Sequence, residues 1–167
     1  GPESDEVADT LQSMAELAAR QKKTEQARAH YERYLAIHEK RFGAESVELV
    51  SALGVVTAFY EDNGEDKAAE AIRRRILALT EKAHGPEGET TLYRVRELAL
   101  FLQYRDRFDE AEALFRRLVK SWSARSKEDP ISYGYALMNL GNILRLRGRY
   151  KEAEPVLKQA LGVTEKA

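Results

Sequence analysis

The stretch ALMNLGNILRLRGRYKEAEPVLKQAL, residues 136–161, decides the fold. Its first half spaces Leu137, Leu140, Ile143 and Leu144 by three, three and one residues, which lines a single face of an α-helix. Arg147-Gly148-Arg149 then breaks the pattern at a glycine suited to positive φ. A second helical pattern follows, in which Ala153 and Leu161 are eight residues apart, just over two turns, and so share a face. The same arrangement occurs three more times upstream. Ala27, Ala69, Ala111 and Ala153 are spaced by 42 residues, and Leu35, Leu77, Val119 and Leu161 each lie eight residues past their alanine. The first-helix stripes are Leu11, Met14, Leu17 and Ala18; Leu53, Val56, Phe59 and Tyr60; and Val95, Leu98, Phe101 and Leu102. The chain therefore reads as one helix-turn-helix unit built four times, over about 5–45, 46–87, 88–129 and 130–167. The expected fold class is all-α, an α-solenoid of about eight antiparallel helices forming one array over residues 5–167.

Small residues mark the close approaches. Ala15, Ala99 and Gly141 follow the middle apolar residue of each first helix, with Thr57 as the departure, and the four repeating alanines open the second helices. Asn63-Gly64 and Gly148 fall at turns inside a unit, and Gly43 and Gly85 end second helices. Pro155 is expected in the first turn of its helix, where a missing N–H is harmless.

Composition narrows the function. With 43% hydrophobic and 33% charged residues and a formal net charge of −1, the chain is a folded domain with interleaved surface charge. That balance does not support nucleic-acid binding. Cysteine is absent, so no disulfide framework and no thiol chemistry are expected. No apolar run reaches the roughly 18 residues of a membrane span. A cytoplasmic location is expected, with neither nucleic acid nor membrane as partner. Gly1-Pro2 resembles the remnant of tag cleavage, so residues 1–4 are expected to form a disordered start. No polar capping helix follows the last unit. This predicts either a piece of a longer protein or an edge that docks on a second copy or another domain.

Catalytic patterns are missing. His30, His38 and His84 have no carboxylate at metal-ligand spacing, and no phosphate loop, dinucleotide fingerprint or nucleophile elbow occurs. No catalytic residue, metal or cofactor is expected, and the chain is read as a non-enzyme. Trp122 is expected to pack between units, with a partner-binding role as the alternative, and Arg73-Arg74-Arg75 and Arg116-Arg117 to form solvated faces. Arg105, Arg107, Arg145, Arg147 and Arg149 cluster near the turns of the last two units. They are read mainly as solubilising, with an acidic partner or a lipid surface as the alternative.

Residues 136–161 resemble the tetratricopeptide repeat: Leu137, Leu140-Gly141, Leu144, Ala153, Leu157 and Ala160 occupy its signature positions. The 42-residue period exceeds the family's usual length of about 34 residues and resembles the kinesin-light-chain type. The resemblance implies a right-handed array whose first helices line a concave groove. It also implies a non-enzymatic scaffold or adaptor that binds a protein or peptide partner. The groove residues it implies are Asp9, Gln12, Ser13 and Glu16, then Ser51, Gly54, Val55, Ala58, Glu61 and Asp62 in the first half. In the second half they are Tyr93, Arg96, Glu97, Leu100, Tyr104, Tyr135, Met138, Asn139, Asn142 and Arg145.

The first half of this groove is small and acidic, and the second carries Tyr, Asn and Arg, which suit peptide recognition. The partner site is therefore expected at Tyr93, Arg96, Leu100, Tyr104, Tyr135, Met138, Asn139, Asn142 and Arg145. Asn139 matches the backbone-clamping Asn of kinesin-light-chain-like repeats, whereas Ser13, Val55 and Glu97 stand at the equivalent positions. Gln12, Glu16 and Val55 replace the basic and Asn residues of chaperone-tail-binding repeats, so anchoring of a terminal carboxylate is not expected. The alternative function is homo-oligomerisation through the C-terminal edge or the groove.

Overall fold

The computed structural model describes residues 4–167, and the expected tag-like start at Gly1–Glu3 lies outside the described residues. Ser4 is already part of the fold, because its carbonyl accepts hydrogen bonds from the N–H groups of Val7 and Ala8 at 3.1 Å. Among the described residues the regular structure is entirely helical: α1 (Asp5–Arg20), α2 (Thr24–Phe42), α3 (Val50–Asp62), α4 (Asp66–His84), α5 (Glu89–Gln103), α6 (Phe108–Ser123), α7 (Pro130–Leu146) and α8 (Tyr150–Thr164). A 3-10 turn at Val47–Leu49 leads into α3, with Ser46 Oγ accepting from the Glu48 N–H at 3.2 Å. The chain divides into two compact units, one running to Ala83 and one from His84.

In the first unit, α1 packs on α2 and α2 on α3. The core joins Ala8, Leu11, Ala15 and Ala18 of α1 to Ala27, Tyr31, Tyr34 and Ile37 of α2 and Val56 and Phe59 of α3. The Tyr31 and Phe59 rings lie 4.9 Å apart. A second cluster holds Leu49, Leu53, Ile76 and Leu79. In the second unit, α5 packs on α6, α6 on α7 and α7 on α8. Phe115 is fully buried there, with Leu98, Leu102, Ile143 and Leu144.

The small residues do what their spacing implies. Ala15, Ala99, Ala27, Ala69 and Ala111 are completely buried, and Ala153 nearly so. A Cβ on Gly141 would stand 2.5 Å from Leu157 Cγ, so only glycine lets α7 and α8 approach at this distance. Thr57 fits because its hydroxyl donates to the Leu53 carbonyl at 2.7 Å, leaving the methyl for packing.

Two expectations change. Met14 and Leu17 are 46% and 58% exposed, although their counterparts Val56 and Phe59 are buried. The side of α3 that carries these residues is covered by α2; α1 has only its own hairpin partner among the described residues. Pro155 lies at the sixth position of α8, past the first turn, and is exposed. Its ring thus removes an intrahelical hydrogen bond that a proline in the first turn would leave intact.

Candidate functional site

The first turns of α5 and α7 and the end of α6 enclose a cleft of about 250 Å³. Burial of Leu92, Val95 and Leu98 on one face of α5 leaves Tyr93 and Arg96 at the cleft wall. Pro130 at the start of α7 fixes the opposite wall. Asp129 caps that helix by accepting from the Ser132 N–H at 2.9 Å. The side-chain and backbone hydrogen bonds from Ser132 hold the Asp129 carboxyl below its ordinary value. Tyr135 and Asn139 follow on the cleft side of α7, and Leu118 and Trp122 of α6 complete the lining.

The polar groups in this cleft are unevenly satisfied. The Arg94 and Arg96 guanidinium groups stand 5.2 and 5.3 Å from the Tyr93 ring. Arg94 also donates to Glu97 at 2.7 Å. Arg96 Nε is buried and has no hydrogen-bond partner among the described residues. Arg94 Nε, outside the cleft lining, is buried and unmatched in the same way. Arg125 covers the Trp122 ring at 5.7 Å and is held by a bond to the Glu87 carbonyl at 2.6 Å.

Tyr93, Arg96, Tyr135 and Asn139 are thus brought together. The other five residues expected at the partner site do not line this cleft. Leu100 and Asn142 are half-buried, Tyr104 and Met138 are exposed, and Arg145 borders a separate depression on α8. Leu118 carries no signal in the sequence, because the expected lining comes from first helices alone, and Trp122 is expected to pack between units with partner binding only as the alternative. Trp122 is half-buried in the cleft wall, and its position as the chain's single tryptophan, late in a second helix, was the available signal.

The first unit has a cleft of about 360 Å³ nearer the opposite end of its helices, lined by Gln12, Glu16, Arg20, Tyr31, Val55, Ala58 and Asp62, among others. Within it Gln12 donates to Glu16 at 2.9 Å, and beside it on α1 Ser13 donates to the Asp9 carbonyl at 3.0 Å. Glu61 is drawn away by Arg73 at 2.6 Å.

Several side chains of the arginine clusters clasp neighbouring elements, whereas Arg74 and Arg116 stay exposed, as a solvated face requires. Arg75 of α4 donates to Glu39 of α2 at 2.5 Å and to the Ala44 carbonyl at 2.8 Å. Glu112 of α6, almost fully buried, accepts from Arg116 at 2.8 Å and from Arg147 and Arg149 of the α7–α8 turn, the latter at 2.8 Å. Burial opposes ionisation of Glu112, and hydrogen bonds from Arg116, Arg147 and Arg149 outweigh it, so its carboxyl stays below the ordinary value. Arg105 lies over the Phe101 ring at 3.8 Å. Among the described residues no three acidic or histidine side chains converge to hold a metal ion, and no helix is long and apolar enough to cross a membrane.

Family models described as tetratricopeptide repeat match residues 7–48 and 89–166. A sequence comparison with curated proteins gives no match. The chain is similar in structure to a Podosopora anserina putative kinesin light chain with nearly identical TPR-like repeats. The TM-score is 0.79 at 19% identity, covering 99% of this chain and 79% of that one. It is also similar to BtubC (BKLC) from P. vanneervenii, with a TM-score of 0.72 at 17% identity over 95% of this chain; it spans 63% of that protein's length. The helix pairs, their 42-residue period and these matches agree: the chain belongs to the tetratricopeptide repeat family, with an all-α helical-repeat fold.

Proposed function

We propose that this chain is a non-enzymatic adaptor that captures a peptide segment of a partner protein in the cleft between α5 and α7. Tetratricopeptide repeats generally mediate protein–protein interaction. The observation that carries the finer reading is the meeting of Tyr93, Arg96, Tyr135 and Asn139 around a half-buried tryptophan, with the Arg96 Nε–H buried and unmatched. In this reading an apolar side chain of the peptide packs on Trp122 and Leu118. Arg96 donates to a carboxylate or backbone carbonyl, and Asn139 holds the peptide backbone by donating and accepting. The lining residues are fixed by their helices before the peptide arrives, so little ordering cost falls on the protein.

Trp122 makes the test direct, because the only tryptophan of the chain lines the cleft. Peptides selected from a random library on the wild-type protein should shift or quench its emission on titration. The combined Tyr93→Ala, Arg96→Ala, Tyr135→Ala and Asn139→Ala variant should lose that response and bind at least about tenfold more weakly, with helicity and Tm near wild type. As a control, Ala111→Leu should lower stability by about 1–3 kcal/mol through overpacking. Selected peptides that bind the combined variant as tightly as the wild type would refute the cleft assignment.

A further inference from the structure

We propose that copies of this chain associate head to tail, the α8 face of one receiving the α1 face of the next, with Glu154 of the first paired to Lys23 of the second. This joint is separate from the α5–α7 cleft and does not depend on the peptide-binding reading.

Both faces are apolar and exposed. On α1 these are Met14 and Leu17. On α8, Tyr150 is 67% and Leu161 58% exposed, and with Ala153 and Leu157 they line a shallow depression of about 420 Å³. The two faces correspond, position by position, to surfaces that meet inside the chain. Tyr31 and Leu35 of α2 stand 126 residues before Leu157 and Leu161, and they pack in the cluster that buries Val56 and Phe59 of α3. Val56 and Phe59 stand 42 residues after Met14 and Leu17. The α6–α7 joint repeats this, burying Leu140 and Ile143. The exposed faces of α1 and α8 are therefore the two halves of a joint that this fold already closes within each unit.

Charge fixes the register and selects the occupant. At the α2–α3 joint, Arg28 makes two hydrogen bonds, at 2.8 and 2.9 Å, to Glu65, the residue just before α4. At the α6–α7 joint the signs are exchanged: Glu112 accepts from Arg149, the residue just before α8, at 2.8 Å. Glu112 stands 84 residues after Arg28, and Arg149 84 after Glu65, so the same pair of positions is bridged each time. On the α8 face the first of these positions is Glu154, and before α2 the second is Lys23. Opposite charges thus stand on the two exposed halves. Glu154 is held by Lys158 at 2.6 Å, as Glu112 is held by Arg116, and Glu112 still accepts two further arginines. Glu154 retains the same capacity. A second copy of this chain supplies the matching apolar pair and the matching charge together.

Such a contact is heterologous, so each addition leaves one α1 face and one α8 face free. Sedimentation velocity over a wide concentration range should show the average mass rising beyond a dimer, less steeply at high salt. Leu161→Glu and Leu17→Glu, both at exposed positions, should each give monomers. Mixed together they should pair once and stop at a heterodimer, because the first retains its α1 face and the second its α8 face. Glu154→Lys should weaken association about fivefold to tenfold, and adding Lys23→Glu should restore it. A wild-type monomer at every concentration would overturn the proposal. So would continued self-association of either single-face variant, or a Glu154→Lys defect that Lys23→Glu leaves unrepaired. The combined cleft variant should self-associate as the wild type does, which separates failure of this joint from failure of the peptide site.

Discussion

Lys22 and Asp106 adopt φ values of 59° and 58°, the only positive values on non-glycine residues of the described chain. They stand at the same position of the repeat as Gly64 and Gly148, whose φ values are 71° and 72°. The first and third hairpins thus turn with side chains where the second and fourth turn with glycine. An L side chain in this region costs about 1 kcal/mol, less for Asp than for Lys. Lys22→Gly should therefore raise stability by about 0.5–1 kcal/mol in urea unfolding, and Asp106→Gly by less. The sequence places a turn near Arg105 and Arg107 but does not mark Lys22 or Asp106 as positive-φ positions, because Lys carries no turn preference and a lone Asp between two arginines only a weak one until both are aligned with Gly64 and Gly148.

Glu112 carries the second residue-scale prediction. Its carboxyl is held below the ordinary value of 4.5 by three arginines, against the opposing effect of burial. A carboxylate with a lowered folded value adds stability that is fully present above its unfolded value and is lost as pH falls through the folded one. The unfolding midpoint should fall below about pH 4.5 in the wild type. Glu112→Gln should cost about 1–3 kcal/mol at neutral pH and flatten part of that acid limb. An equal acid response in both proteins would show that the arginine clasp does not hold this charge.

At the scale of the element, the three-three-one stripes and the repeating alanines made the helices and their pairing legible, because one buried face per helix is a local property of the chain. What covers each face is not local. Met14 and Leu17 carry the same pattern as Val56 and Phe59 yet stay exposed, since α1 has no preceding second helix packed on that side among the described residues. Helix α8 shows the reverse limit: Pro155 reads as an early, harmless proline, but α8 starts at Tyr150 and the ring falls inside it. Pro155→Ala should restore the lost hydrogen bond and raise stability by about 1–3 kcal/mol, seen as a higher Tm and slower amide exchange at the start of α8.

At the scale of the whole molecule the two units differ in what their clefts offer. The first unit's cleft holds Gln12, Glu16 and Asp62, with Gln12 bonded to Glu16 within α1. The second unit's cleft holds Tyr93, Arg96, Tyr135 and Trp122, with a buried donor left over. Replacing Gln12 and Glu16 by Ala should leave peptide binding within about twofold of wild type, whereas Arg96→Ala alone should weaken it severalfold by fluorescence titration.

The sequence by itself determined the repeat, the all-α class, the helix pairs and the contrast between an acidic first half and an aromatic, basic second half. Each follows from periodicity and composition. Tertiary structure alone decided which candidate residues meet. It drew Tyr93, Arg96, Tyr135 and Asn139 into one cleft, added Trp122 and Leu118 from α6, left Tyr104 and Met138 outside, and turned Arg147 and Arg149 inward to Glu112. A helical period states which residues share a face, but the neighbour against which that face packs, and the side chains it leaves uncovered, depend on residues tens of positions away.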